Sequence, residues 1–296
     1  RFVAQSIAKQ VQVPVFVVDT HNIIPAWVVS DKQEFAARTI RPKIHKLLPV
    51  YLQEPPALKK NTTSWPGTYI RLTEVLALYP DLLSDISSNG IAYTFPEPKV
   101  SLDDFLGKYA SYDENRNDPT KDAQSNLSPY LHFGQLSSLR IALQLTARGV
   151  NPQESAFLEE IIVRKELSDN FCLYNTSYDS FDGAPAWARK SLLMHADDER
   201  EFTYSLEQLE NAQTHDNAWN AAQMQLRRTG KIHGYMRMYW AKKVLEWSPA
   251  EAREEPMLNG HPFRVKLHNQ LSDLSGAAWA IAVLVYLNDF YSIDGG

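Results

Sequence analysis

The 296-residue sequence contains a single cysteine, Cys172. One thiol closes no internal disulfide and builds no cysteine-based zinc site, so a reducing, intracellular compartment is expected, with nucleus, cytoplasm and organelle all open. No apolar run approaches a membrane span. The longest, Ala277 to Leu287, contains Trp279 and Tyr286 and reads as a buried core helix. The histidines show no HExxH or comparable spacing, so no metal site is expected. GxSxG, P-loop and GxGxxG motifs are all missing, which removes the common hydrolase, NTPase and Rossmann readings. The start, Arg1-Phe2-Val3-Ala4, shows neither a methionine nor a basic-then-apolar leader, so it reads as a cut end without a targeting segment. Basic residues are slightly in deficit: 30 Lys and Arg against 35 Asp and Glu give a net charge of -5. That balance argues against indiscriminate coating of nucleic acid, since phosphate binding needs cations, but it leaves room for a local basic face.

What is present is an ordinary globular composition, 44% hydrophobic and 22% charged, with seven tryptophans and fourteen tyrosines. RFVAQSIAKQVQ reads as the end of an amphipathic helix. The β-branched run VPVFVVDTHNIIP behind it reads as a buried strand, which together suggest a remnant of a parallel α/β sheet. Ser30-Asp31-Lys32 opens a helical pattern to about Tyr51, with Phe35, Ile40, Ile44, Leu47 and Leu48 on one side and a kink expected at Pro42. Prolines and polar clusters between Glu54 and Val100 mark a linker, with one short helix near 69–83. Beyond Ser101, whose spacing to Asp104 suggests a capping box, the chain reads as mostly all-α. Helices are predicted at about 101–111, 128–148, 153–175, 185–195, 216–229, 231–247 and 276–290, and 250–275 reads as a long loop.

Three clusters could carry chemistry. Ser125-Asn126-Leu127-Ser128-Pro129-Tyr130 places hydroxyl and amide groups before a helix, with Ser128 as N-cap and Pro129 as first helical residue. Such an N-terminus also suits a phosphate, although a plain helix cap needs no ligand. In the second cluster Trp240 and Trp247 share one helix face, Arg237 lies one turn before Trp240, and Trp219 precedes them on another helix. Basic residues interleaved with indoles can grip nucleic acid, or pass electrons to an excited cofactor; a core stripe with solvated cations opposite is the plain alternative. Third, Glu160 and Arg164 form an (i, i+4) pair beside Glu159 and Lys165. On a surface that pair contributes only about 0.3–0.5 kcal/mol, whereas a carboxylate facing a cleft would be chemically useful.

Taken together, the strings PAWVVSDKQEFAARTIRPKIHKLLP (25–49), RNDPTKDAQSNLSPYLHFGQLS (116–137), EEIIVRKELSDNFCLYN (159–175), TGKIHGYMRMYWAKKVLEW (229–247) and YLNDFYSIDG (286–295) resemble the class II cyclobutane pyrimidine dimer photolyases of the photolyase/cryptochrome superfamily. The resemblance implies an α/β remnant at 1–58, the last part of an antenna domain. It further implies an interdomain linker at 59–100 and a helical FAD-binding domain at 101–296 that is incomplete at its C-terminus. Relative to that pattern the chain is truncated at both ends, and most of 250–283 looks inserted. The implied cofactor is FAD, with an antenna chromophore of deazaflavin or folate type in a complete protein. The implied partner is UV-damaged DNA containing pyrimidine dimers, bound by a monomer without membrane contact.

Carried over residue by residue, Tyr112, Ser125, Asn126, Leu127 and Ser128 resemble positions that hold the FAD phosphates. Arg237 and Asp294 resemble the ion pair beside the flavin ring. Glu160 resembles the carboxylate that hydrogen-bonds the dimer, Met238 a residue touching it, and Arg164 and Lys165 lie toward the DNA strand. Trp240 and Trp219 resemble the inner and outer members of the electron-transfer pair, with Trp247 a further partner. The reading that follows is light-driven dimer repair, with reduced FAD passing an electron to a flipped-out dimer; flipping costs a few kcal/mol and is easiest at damaged sites. The alternatives are a cryptochrome-like photoreceptor and a non-catalytic photolyase fragment.

Overall fold

A computed structural model of the chain describes residues 2–57, 67–68, 71–78, 96–178, 181–195 and 197–247. The described residues are helical, with no strand among them. The expected buried strand is the clearest departure. Val13, Phe16, Val17 and Val18 belong to no helix or strand and are exposed, Phe16 at 83%. A β-branched run becomes a strand only when a neighbour completes its hydrogen-bond ladder, and no described segment pairs with it. The N-terminal helix, α1 (Phe2–Gln10), matches its prediction.

After a short turn of helix, α2 (Ala26–Val29), comes α3 (Ala37–Tyr51). It starts later than Ser30-Asp31-Lys32 suggests. Ser30 is instead buried, donating to Glu34 Oε1 at 2.7 Å and accepting from Lys43 Nζ at 3.0 Å. Ile40, Ile44 and Leu48 of α3 are buried as expected, but Phe35 precedes the helix and is 81% exposed. In the segment expected to be a linker, α4 (Leu72–Leu78) falls inside the predicted 69–83 helix. Helix α5 (Pro98–Lys108) begins three residues before Ser101, so Ser101 caps nothing and its hydroxyl bonds Tyr130 Oη at 2.9 Å. A 3-10 turn leads from α5 into α6 (Tyr112–Asn115).

The helix predicted over 128–148 is two helices, α7 (Ser128–His132) and α8 (Ser138–Ala147). Gly134 breaks it: its φ of 67° is a left-handed conformation that glycine adopts without a Cβ clash. From Ser155, whose hydroxyl accepts from Leu158 N, the chain runs as α9 (Ala156–Leu158), a π-helical stretch Glu159–Arg164, and α10 (Lys165–Tyr174). The later helices are α11 (Ala186–Met194), α12 (Leu206–Glu210), α13 (Asn217–Thr229) and α14 (Gly234–Trp247). The predicted helix at 276–290, the 250–283 stretch and Asp294 lie outside the described residues.

Helix α10 ties the N-terminal segment to the body through side chains spaced four apart, which an α-helix places on one face. Glu166 accepts from the backbone N–H groups of Ile23 and Ile24 at 2.9 and 3.2 Å. Asn170 accepts from Glu34 N and donates to Lys32 O, and Tyr174 Oη donates to Ser30 O. Ile24, Ile40, Ile44, Phe105, Leu127, Ile141 and Leu158 share the main core. Trp219, Leu226, Trp240, Val244 and Trp247 form a second core between α13 and α14.

Candidate functional site

Three arrangements bring the predicted residues together. In the first, Tyr112 is buried against Phe105 and Phe157, in edge-on contacts of 5.5 and 5.4 Å between ring centroids. Burial raises its phenol pKa, against a hydrogen bond from Arg116. Arg116 stands 5.9 Å from the Tyr112 ring centroid, and its Nη1 donates to Glu160 Oε1 at 2.9 Å. Tyr112 and Glu160, read separately in the sequence, are thus linked through an arginine that the spacing did not single out. Glu160 remains half exposed on the π-helical stretch. Its neighbour Glu159 points elsewhere, accepting a forked pair from Arg41 at 2.7 and 3.1 Å with Arg164 at 3.4 Å. Burial works to raise the Glu159 pKa, but the Arg41 hydrogen bonds and the charges of Arg41, Arg164 and His45 hold it below the usual carboxylate range. The ammonium of Lys165 reaches His21 O, Asn22 Oδ1 and Asp169, tying loop to helix.

The second arrangement concerns Ser125–Ser128. The N-cap position is Leu127, without a side-chain cap, and Ser128 is the first helical residue, so the helix begins one position earlier than expected with Ser128 as N-cap and Pro129 as first helical residue. Asn126 has a φ of 58°, and Ser125 Oγ accepts from Leu127 N at 3.4 Å. Leu127 is fully buried, while Ser125, Asn126 and Ser128 are half-buried around it. Gln124, just upstream, crosses 110 residues of sequence to accept from Gly234 N at 3.3 Å. Its amide also donates to Arg116 O at 2.7 Å. That single side chain joins the serine run, the Arg116–Glu160 pair and the start of α14, which carries Arg237, Met238 and Trp240. Arg237 is half-buried and Met238 is exposed.

The third arrangement is a row of indoles. Trp219 and Trp240 stack with centroids 5.9 Å apart and planes 7° from parallel, and Trp219 meets Trp247 edge-on at 5.7 Å. Trp219 is therefore the middle ring of the three and is fully buried, touching both its expected pair member Trp240 and the expected further partner Trp247. Helix α13 holds it: Asp216 Oδ1 caps Trp219 N at 2.9 Å, and Gly230, at φ 70°, ends the helix. Its indole N–H donates to Trp240 O, and that of Trp240 donates to the buried Gln223 Oε1 at 2.9 Å. Beyond Trp247 the row continues to Tyr204, 5.4 Å away, and to the exposed His215.

The chain as a whole is similar to known proteins. The chain is 42% identical over 294 residues to the deoxyribodipyrimidine photo-lyase of Arabidopsis thaliana, covering 94% of this chain and 53% of that one. The chain is a homologue of the deoxyribodipyrimidine photo-lyases. The photo-lyase of Potorous tridactylus is 47% identical over 252 residues, 82% of this chain and 47% of its own. The photo-lyase of Methanothermobacter thermautotrophicus is 37% identical over 295 residues, 97% of this chain and 58% of its own. The chain thus spans about half the length of the curated relatives it matches. No family profile matches this photo-lyase homologue. Among its described residues no helix is long and apolar enough to cross a membrane, and no group of His, Cys, Asp and Glu is arranged to hold a metal.

Proposed function

We propose that the chain performs light-driven repair of cyclobutane pyrimidine dimers in DNA, as a member of the class II photolyases. The observation that carries this reading is the Gln124 bridge. It brings the serine run, the Glu160 carboxylate and the α14 residues to one place in the fold, although they lie far apart in sequence.

The chemistry of the donor set fits FAD. Ser125 and Ser128 supply hydroxyls, Asn126 turns the chain through a left-handed conformation, and a helix N-terminus favours negative charge, which together suit a pyrophosphate. Tyr112 joins the group through Arg116, and Arg237 supplies the positive charge that an anionic reduced flavin favours; Asp294, its partner by resemblance, lies outside the described residues. When bound, reduced FAD supplies the electron that splits the cyclobutane ring under blue or near-UV light. Glu160 hydrogen-bonds the flipped dimer with Arg116 setting the direction of its carboxylate, Met238 supplies an apolar contact, and Arg164 faces the flanking strand. Trp240, Trp219 and Trp247 deliver electrons from the surface toward the cofactor. Residues 1–58 form the tail of an antenna domain, which in the whole protein holds a deazaflavin or folate chromophore, 59–100 link it, and 101–296 form the cofactor domain. The protein acts as an intracellular monomer.

The test is loss of dimers from a synthetic oligonucleotide under blue light, with FAD supplied and reduced chemically. Repair that requires light, flavin and Glu160 supports the reading. Light-independent loss, or none with a fully flavin-loaded protein, would overturn it.

A further inference from the structure

Helix α3 runs opposite to the charge of the rest of the chain. Over fifteen residues it carries Arg38, Arg41, Lys43, His45 and Lys46 and no acidic residue, in a protein of net charge -5. Its apolar face, Ile40, Ile44 and Leu48, is buried, so the cations occupy the flanks and the outer surface. On the inner flank Lys43 is consumed by Glu34 at 2.5 Å. On the opposite flank Arg41 reaches Glu159 of the π-helical stretch, immediately beside Glu160, and shares that one carboxylate with Arg164. Two guanidiniums on a single carboxylate leave positive charge in excess. Arg38 and Lys46 add to it: both are exposed and neither makes an ion pair among the described residues.

We propose, resting on the DNA-repair reading above, that α3 is a phosphate-contacting surface that grips the DNA backbone flanking the flipped nucleotide. The occupant follows from charge and position. Guanidinium and ammonium groups spaced along an exposed helix match a polyanion with a regular repeat, and phosphate contacts fix register without reading sequence. The helix is bonded through Arg41 to the element carrying Glu160. A duplex that presents a base to Glu160 therefore passes its backbone by α3.

The experiment measures binding of the FAD-loaded chain to dimer-containing and undamaged duplexes by fluorescence anisotropy across a salt series. In the Arg38→Gln/Lys46→Gln double variant, the slope of log K against log salt should become less negative by about 1.8, at about 0.9 per lost phosphate contact. Affinity at 0.1 M salt should fall by about tenfold or more, equally for both duplexes, because phosphate contacts carry no damage information. The Arg38→Lys/Lys46→Arg variant should retain the wild-type slope, which separates charge from any loss of folding. Glu160→Gln should leave the slope unchanged while reducing the preference for the damaged duplex. An unchanged slope in the charge-removing variant, with preference for damage intact, would overturn the role of α3 alone. A wild-type chain that binds both duplexes equally would overturn the repair reading. Loss of binding only to phosphatidylserine vesicles, with duplex binding intact, would assign α3 to a membrane surface and overturn the DNA proposal.

Discussion

Replacing Glu166 with glutamine should remove a pH dependence that the wild-type fold carries. Glu166 is 1% exposed, and its Oε1 accepts both N–H groups that dock Ile23 and Ile24. Its Oε2 is buried without a partner. Burial pushes the carboxyl pKa up to about 7 from an ordinary 4.5, against the hydrogen bonds from Ile24 and Ile23 and the Lys165 charge, while Asp169 adds to the rise. The folded state therefore holds a proton that the unfolded chain has released between pH 4.5 and 7. Stability contributed by this group is full below pH 4.5 and declines as pH rises to about 7. At about 1.4 kcal/mol per pH unit, that gap corresponds to about 3 kcal/mol. Glutamine keeps the acceptor but cannot ionise. Its amide donors near the Oε2 position add a desolvation cost of about 1–3 kcal/mol that does not vary with pH. Urea unfolding of both proteins at pH 5, 6, 7 and 8 isolates the effect, because other titrating groups, His21 included, largely cancel in the difference. Wild type should lose stability relative to the variant by about 2–3 kcal/mol between pH 5 and 8. A difference that stays flat across that range would refute a buried protonated Glu166.

Further predictions concern the site. Trp240→Phe should abolish photoreduction of FAD while sparing repair by chemically reduced enzyme, read from flavin absorbance and dimer loss respectively. Trp219→Phe should do the same and cut the row at its centre, since both neighbouring indoles contact Trp219. Glu160→Ala should lower repair yield more than flavin content; loss of flavin would instead make the residue structural. Gln223→Leu removes the acceptor of the buried Trp240 N–H and should cost about 1–3 kcal/mol in urea unfolding, with no change expected if the indole finds another partner.

How much of this was legible in the sequence depended on whether the signal was local. Helix α13 could be read closely, because Asp216 and Gly230 mark its ends by chemistry that acts within one turn. The indole row was half legible: seven-residue spacing puts Trp240 and Trp247 on one face, but only the packing of α13 on α14 shows that Trp219 lies between them. The strand at 13–18 was misread because β-branched composition describes a strand's side chains and says nothing of its neighbours. The π-helical stretch was invisible, since EEIIVRK has ordinary helical spacing. Arg116, Gln124 and Arg41 were missed because each works across a long sequence separation, and no local spacing marks a lone cation or amide as a bridge.

The most direct test of the account is the absorbance spectrum of the purified chain before and after illumination with a reductant present. A structured flavin spectrum that bleaches in light, and does so no longer in Trp240→Phe, is the predicted result. A colourless protein that takes up no added FAD, or a bound flavin that light leaves oxidised, would contradict it.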